Sequence, residues 1–545
     1  MPETRCPTES ELCDAMRGRS VTAGWDVVVS YRVSRLNEIL GRLWEKGNLS
    51  DSIKINVPHT QDGVRMLFDV NLLRPTLDFV LDGAADAHLQ MGFEGYCYYY
   101  TGDVISSKTR IFAGQYEIGF QVPLVSMPAA SVNGINPANW VDPSGHPEKL
   151  GGLAGDTIAF LDPHDPHATQ NIVFKFHDIP KKSWVLHSVD AQGNKNPNVD
   201  LDMSRFSDEL HTWFVKSVRA VDYTVARVTN TKPSDDKTTY LRPQEFVFAS
   251  HGQGPSAVLS IYMKTVDSGF ASGDKAPQFK FTTPNGVIVE LPVPKDSEAS
   301  IIIRHELMRD RLFLPHLKKT FEIKDDNPDP VSNDLGNGEE GFRFKIKVDR
   351  KWIKGMENPL GHLWMSNILT PQFLIDLKQS PLTLTISGGK AHWALDYTSP
   401  RLGWQRNFHF GGKGLIGAVI VEAKVNKEMP ILSSNATLSS TPLTFKASDI
   451  KITIKGAPQI KRELSFFESI FAGPQYDRNI WDDHVPDECK NLEVGFPDFS
   501  ISLASLDYVA TKNVFASSQD IVQINTSKGM LSPHDVMLLG RIADP

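Results

Sequence analysis

Apolar and polar residues alternate strictly over much of this chain. In "GFRFKIKVDR", Phe342, Phe344, Ile346 and Val348 are separated by Arg343, Lys345 and Lys347. In "DIKITIKG", Ile450, Ile452 and Ile454 alternate with lysines and Thr453, and "LTLTISGG" repeats the pattern from Leu382. A period of two gives one buried and one wet face, the mark of antiparallel sheet. No strand–helix–strand rhythm recurs, which disfavours a doubly wound parallel sheet.

Helical periodicity is confined to a few segments. The stretch "GWDVVVSYRVSRLNEILGRLWEKG" reads first as a buried strand and then as a helix. Ser34 serves as its N-cap, Gly47 as its C′ residue, and Leu36, Ile39, Leu40, Leu43 and Trp44 form the apolar stripe. A second helix is predicted in "DLDMSRFSDELHTWFVKSV", with Phe206, Leu210, Trp213 and Phe214 on one side. A third is predicted in "SEASIIIRHELMRDRLFL" from Ser297, stopping near Pro315. A short one is expected at "TPQFLIDL", capped by Thr370 with Pro371 at the first helical position, and a last one at "KRELSFFESIFAG". The expected fold class is therefore α+β, with many antiparallel strands and few helices. Sheets this extensive must curl or pair to hide their apolar faces, and a helix lying in the curl is one solution.

Composition narrows the function classes. The chain has 545 residues, 40% of them hydrophobic, and a net charge of −8, which argues against a dedicated nucleic-acid binder. No apolar run is long enough to span a membrane, and the polar start "MPETRCPTESELCDAMRGRS" lacks the apolar core of a signal peptide. Cys6, Cys13, Cys97 and Cys489 are too scattered for a disulfide framework or a four-thiolate zinc site. Together these features favour the cytoplasm.

Candidate chemistry is sparse. "FLDPHDPHATQNIVFKFHD" gathers Asp162, His164, Asp165, His167, His177 and Asp178, all of metal-ligating type. Pro163 and Pro166 hold this loop extended, which spreads the ligands apart, so no metal or other cofactor is expected. A metal-dependent enzyme centred on residues 162–178 is the alternative. "IIIRHELMRDR" is no zincin, because Arg309 stands where the second histidine would be. "SGFASG" misses the nucleophile elbow, since Ser272 is displaced by one position. "FGGKG" and "SGGK" lack P-loop spacing and read as tight turns.

The order of the segments carries a resemblance. "GWDVVVSYRVSRLNEIL", with its polar Asn37, resembles the opening of the OrfX/P-forty-seven family, accessory proteins of botulinum neurotoxin gene clusters. "DLDMSRFSDELHTWFVKS", "RPQEFVFASHGQGPSAVLSIYMKT", "LPVPKDSEASIIIRHELMRDRLFLPHLKK" and "KRELSFFESIFAG" follow in family order. The resemblance spans residues 21–475, a region of one fold or two subdomains. Residues 1–20 are expected as a disordered leader and 476–545 as a C-terminal addition.

The family resembles tubular lipid-binding (TULIP) proteins. The resemblance thus implies strongly curved antiparallel sheets wrapped around long amphipathic helices, with an apolar groove between them. It implies non-enzymatic binding of lipid or another elongated apolar ligand, with Leu36, Ile39, Leu40, Leu43, Phe206, Leu210, Trp213 and Phe214 as its lining. The implied partners are a lipid or apolar small molecule, with peripheral membrane contact and a protein partner as further expectations and no nucleic acid. An accessory protein acting by protein–protein contact is the other reading of the same resemblance.

Overall fold

The structure is a computed structural model of the full chain. It describes residues 4–45, 53–57, 64–79, 86–128, 153–154, 158–162, 169–174, 179–217, 224–229, 241–321, 331–333, 340–347, 349–350, 368–369, 375–376, 380–398, 402–406, 415–431, 443–456, 461–462, 498–501 and 522–542. The chain forms two compact units: Met1–Leu307 with Ala504–Lys528 and Pro533–Pro545, and Met308–Leu503 with Gly529–Ser532. All strand pairing among the described residues is antiparallel, and the helices are few and short. No helix among the described residues is long and apolar enough to cross a membrane.

The first unit contains a seven-stranded sheet ordered Val522–Ile524, Val536–Ile542, Ala299–Ile303, Val27–Arg32, Val258–Thr265, Pro243–His251 and Ala159–Phe160. Its central strands are apolar almost without interruption and are buried on both faces, so they do not alternate. Ser30 lies opposite both Ser260 and Ser300, and these buried hydroxyls are satisfied inside the sheet. Ser30 Oγ and Ser260 Oγ are 2.8 Å apart, and Ser300 Oγ donates to the Pro292 carbonyl at 2.7 Å. At the start of this sheet Trp25 is fully buried and donates Nε1–H to the Asp274 carbonyl at 2.9 Å. Asp26 Oδ2 accepts from Thr265 N at 2.8 Å. Burial pushes the Asp26 carboxyl above its ordinary range, against hydrogen bonds from Thr265 that pull it down.

An eleven-stranded sheet also lies in this unit. Its main path runs Lys195–Asn196, Val185–Val189, Tyr116–Pro128, Asp86–Thr101, Val64–Leu72 and Ile53–Val57, with four further strands attached to the two longest and Thr224–Thr229 attached to one of those four, Thr169–Phe174. Here burial does alternate: Ile53, Ile55 and Val57 are buried while Lys54 and Asn56 are exposed. The second unit holds a nine-stranded sheet with the same alternation. Phe342, Phe344 and Ile346 are buried, as are Leu382, Leu384 and Ile386. Within that unit Phe313 packs on Phe342 and Phe344, and Trp393 stacks on Phe445.

Several expectations are corrected. Residues 9–16 of the expected leader form helix α1, Glu9–Met16, closed by a capping box between Thr8 and Glu11 and anchored by buried Leu12, Ala15 and Met16. The expected C-terminal addition is not separate. Val536–Ile542 pairs with Ala299–Ile303 inside the seven-stranded sheet, and Asp535 accepts from Val21 N, Ser20 Oγ and His305 N.

The expected helix from Ser297 begins instead as the strand Ala299–Ile303, because consecutive isoleucines buried on both faces suit a central strand. Helical structure starts at His305 and runs on through a π-helical turn, Met308–Phe313, to Thr320. Pro315 sits in the first turn of the last segment, directly after the π-helical turn. Ile375–Asp376 of "TPQFLIDL" is a strand paired with Asp349–Arg350, and Lys461–Arg462 pairs with Leu415–Ile416. Thr370, Pro371 and the aromatic part of "KRELSFFESIFAG" lie outside the described residues.

Candidate functional site

Helix α2, Val33–Glu45, follows the strand Val27–Arg32 without a break. Its Leu36 and Leu40 are buried, while the side chains of Ile39 and Leu43 lie outside the described residues. The helix packs on the strand Thr76–Phe79 and on the turn Gly254–Ser256. Asn37 fixes that contact with both ends of its amide: Oδ1 accepts from Leu77 N at 2.6 Å and Nδ2 donates to the Leu77 carbonyl at 2.9 Å. Arg35 is buried and donates to the Ile542 carbonyl at 3.1 Å, tying the helix to the last strand. The α2 face therefore meets protein on the sides described.

Helix α3, Leu201–Ser217, starts where Asp200 Oδ1 accepts from Met203 N at 2.8 Å, an N-cap. Its Phe206, Leu210 and Phe214 are buried against the apolar face of the eleven-stranded sheet. Phe206 stacks on Phe68 at 4.2 Å between centroids and lies 5.2 Å from Phe93. Phe214 lies 5.5 Å from Phe120 and 5.3 Å from Trp184, and Trp184 stacks on Phe120 at 4.8 Å. Two polar ties hold the layer: Trp184 Nε1–H donates to Ser207 Oγ at 2.9 Å, and His211 Nε2 donates to the Ile179 carbonyl at 3.2 Å. Trp213, at the C-terminal end of the row, is only half-buried and sits edge-on to Phe214 at 5.3 Å.

The structure thus brings Phe206, Leu210 and Phe214 together on one aromatic layer and sets Trp213 at its margin. Leu36 and Leu40 belong to a separate contact. Sequence reasoning did not single out Phe68, Phe93, Phe120 and Trp184, which form the opposite wall. Alternation in "VRMLFDVNL" and "YEIGFQV" is a signal that could have marked the strands of Phe68 and Phe120, but not which helix would cover them.

In the second unit an open groove of about 670 Å³ lies over Thr383, His392, Ala394, Asp396, Lys424 and Asn426. Its polar groups are mutually satisfied: Lys424 pairs with Asp396 at 3.4 Å, and His392 Nε2 is 2.5 Å from Asn426 Oδ1. Such a lining does not suit an apolar chain. Of the histidine loop, Asp162 is described; His164, Asp165, His167, His177 and Asp178 lie outside the described residues. Among the described residues no group of three or more His, Cys, Asp or Glu is placed to hold a metal.

No protein-family model matches the chain, and no curated protein matches it. Among solved structures it is similar to P47 from Clostridium botulinum A2, over 95% of this chain and 98% of that one, at 12% identity and a TM-score of 0.45. P47 of Clostridium botulinum E1 is similar over 95% and 99%, at 11% identity and a TM-score of 0.42. A lipopolysaccharide binding protein aligns over 95% and 99%, at 9% identity and a TM-score of 0.25. The two P47 proteins are of the family that the sequence motifs resemble.

Proposed function

We propose that this chain is a non-catalytic binding protein that takes an elongated apolar ligand, of the acyl-chain kind, between α3 and the eleven-stranded sheet it packs on. The observation that carries the reading is the aromatic layer. Phe206, Leu210 and Phe214 face Phe68, Phe93, Phe120 and Trp184 in a mostly apolar contact, and the row ends at a tryptophan partly in water. The rings fill the space between helix and sheet, so a ligand enters by displacing the helix face from the Trp213 end. A sixteen-carbon chain gains roughly 12 kcal/mol gross on leaving water, enough to offset separating part of this contact.

Organic extraction of the purified protein with native mass spectrometry tests the reading. Acyl lipid should be released in stoichiometric amount, or a labelled fatty acid taken up. Trp213→Glu should leave the protein folded, since that side chain already reaches water, and should abolish ligand uptake. Lipid-free protein that also refuses the labelled fatty acid overturns the proposal, as does a folded Trp213→Glu variant that binds unchanged.

A further inference from the structure

The outer face of the eleven-stranded sheet carries a second surface, on the side away from α3. The strands Asp86–Thr101 and Val104–Ile111 form a hairpin, and Val64–Leu72 pairs with the first of them. Tyr96, Tyr98 and Tyr100 lie opposite Arg110, Lys108 and Ile105 on one side, and opposite Asp69, Leu67 and Arg65 on the other. Directly paired residues share a face, so all these side chains project together, opposite to Met66 and Phe68 beneath. A bulge at Tyr99/Tyr100 absorbs Ser106 and puts both Ile105 and Lys108 on this face.

Cations lie on the rings. Lys108 Nζ is 3.6 Å from the Tyr96 centroid and 5.0 Å from that of Tyr98. The Arg65 guanidinium is 4.7 Å from Tyr100, and that of Arg110 is 4.9 Å from Phe112. Among the described residues no carboxylate pairs with Arg65, Lys108 or Arg110, and Arg65 Nε is buried without an acceptor. Among the described residues three carboxylates lie around the face: Asp69 pairs with Lys54 at 3.9 Å, Glu94 lies one step beyond Tyr96, and Asp103 is in the turn. Large apolar side chains stand in water at both ends, with Val104 71%, Ile105 50% and Phe112 56% exposed.

We propose that this face docks on an anionic lipid bilayer, with the tyrosines and cations at the headgroup level and Ile105 reaching the acyl boundary. Tyrosine is favoured at that interface because its ring is apolar and its hydroxyl wet, and lysine and arginine gain from the negative surface potential. The exposed Ile105 beside the turn has no use against a soluble polyanion. The ring faces of Tyr96 and Tyr100 are covered by cations, which leaves them poorly placed for stacking on bases or sugars. The whole chain carries −8, so the attraction is local to this face and short in range. The surface is independent of the α3 layer.

Co-sedimentation of the full chain with extruded vesicles tests the proposal. The protein should pellet with vesicles of phosphatidylcholine containing phosphatidylserine, not with phosphatidylcholine alone, and added salt should release it. Lys108→Ser and Arg110→Ser should each lower partitioning by about fivefold, the worth of one cation near such a surface. Ile105→Ser should weaken it as well. All three residues are exposed, so circular dichroism should stay unchanged, and so should the acyl content found by extraction. Wild-type protein that ignores phosphatidylserine vesicles overturns the proposal, as do variants that pellet like wild type. So does a chain that leaves the vesicles but retains a labelled oligonucleotide or an acidic peptide through Lys108 and Arg110.

Discussion

Replacing Phe206 by alanine probes the contact on which the α3 layer depends. The ring is fully buried, stacked on Phe68 at 4.2 Å and 23° and tilted at 56° to Phe93. Truncating a buried phenylalanine costs about 3–5 kcal/mol in lost transfer energy and residual cavity. Each ring pair adds about 0.5–1.5 kcal/mol beyond area, which puts this site at the top of that range. Phe206→Leu, which keeps most of the volume, should cost well under half as much.

Urea unfolding followed by circular dichroism and tryptophan fluorescence reads the difference. Trp184 lies in the same layer and reports on it directly. Because the chain has two compact units, the two probes need not coincide, and the fluorescence transition is the one to compare. A loss below about 1 kcal/mol at unchanged slope would refute the reasoning, since it would mean that α3 is not fixed to the sheet through this ring.

Trp25→Ala should cost about 3–5 kcal/mol in the same assay, because Trp25 is fully buried and bonded to the Asp274 carbonyl; a cost under about 1 kcal/mol would make its strand peripheral. His251 is buried beside Tyr262, with Nε2 2.9 Å from Oη, and burial lowers its imidazole pKa from the ordinary 6.5 to about 4. Its folded pKa is depressed, so the stability it confers is present above about pH 6.5 and lost as pH falls towards about 4, up to roughly 3 kcal/mol. His251→Phe should flatten the stability–pH curve over that window, and an unchanged slope would show that the acid loss arises elsewhere.

Local pattern alone determined much of the sheet structure. Phe342–Ile346, Leu382–Ser387 and Lys451–Gly456 are strands where the alternation placed them, because a two-residue period can bury only one face of a strand. The opening stretch is a buried strand running into a helix as its pattern implied, and α2 and α3 lie where the apolar stripes were read. The reading of residues 1–20 as a leader passed over the Thr8–Glu11 capping box that starts α1. Tertiary structure decided the rest. Ala299–Ile303 fits helix or strand by composition, and its place between Val27–Arg32 and Val536–Ile542 made it a strand. The C-terminal segment joined the first sheet because its apolar run found an open edge there, a pairing across more than two hundred residues that no local pattern encodes. The same holds for the tyrosine face: its residues are plain in "GYCYYY" and "SSKTRI", but only strand register and one bulge set the cations over the rings.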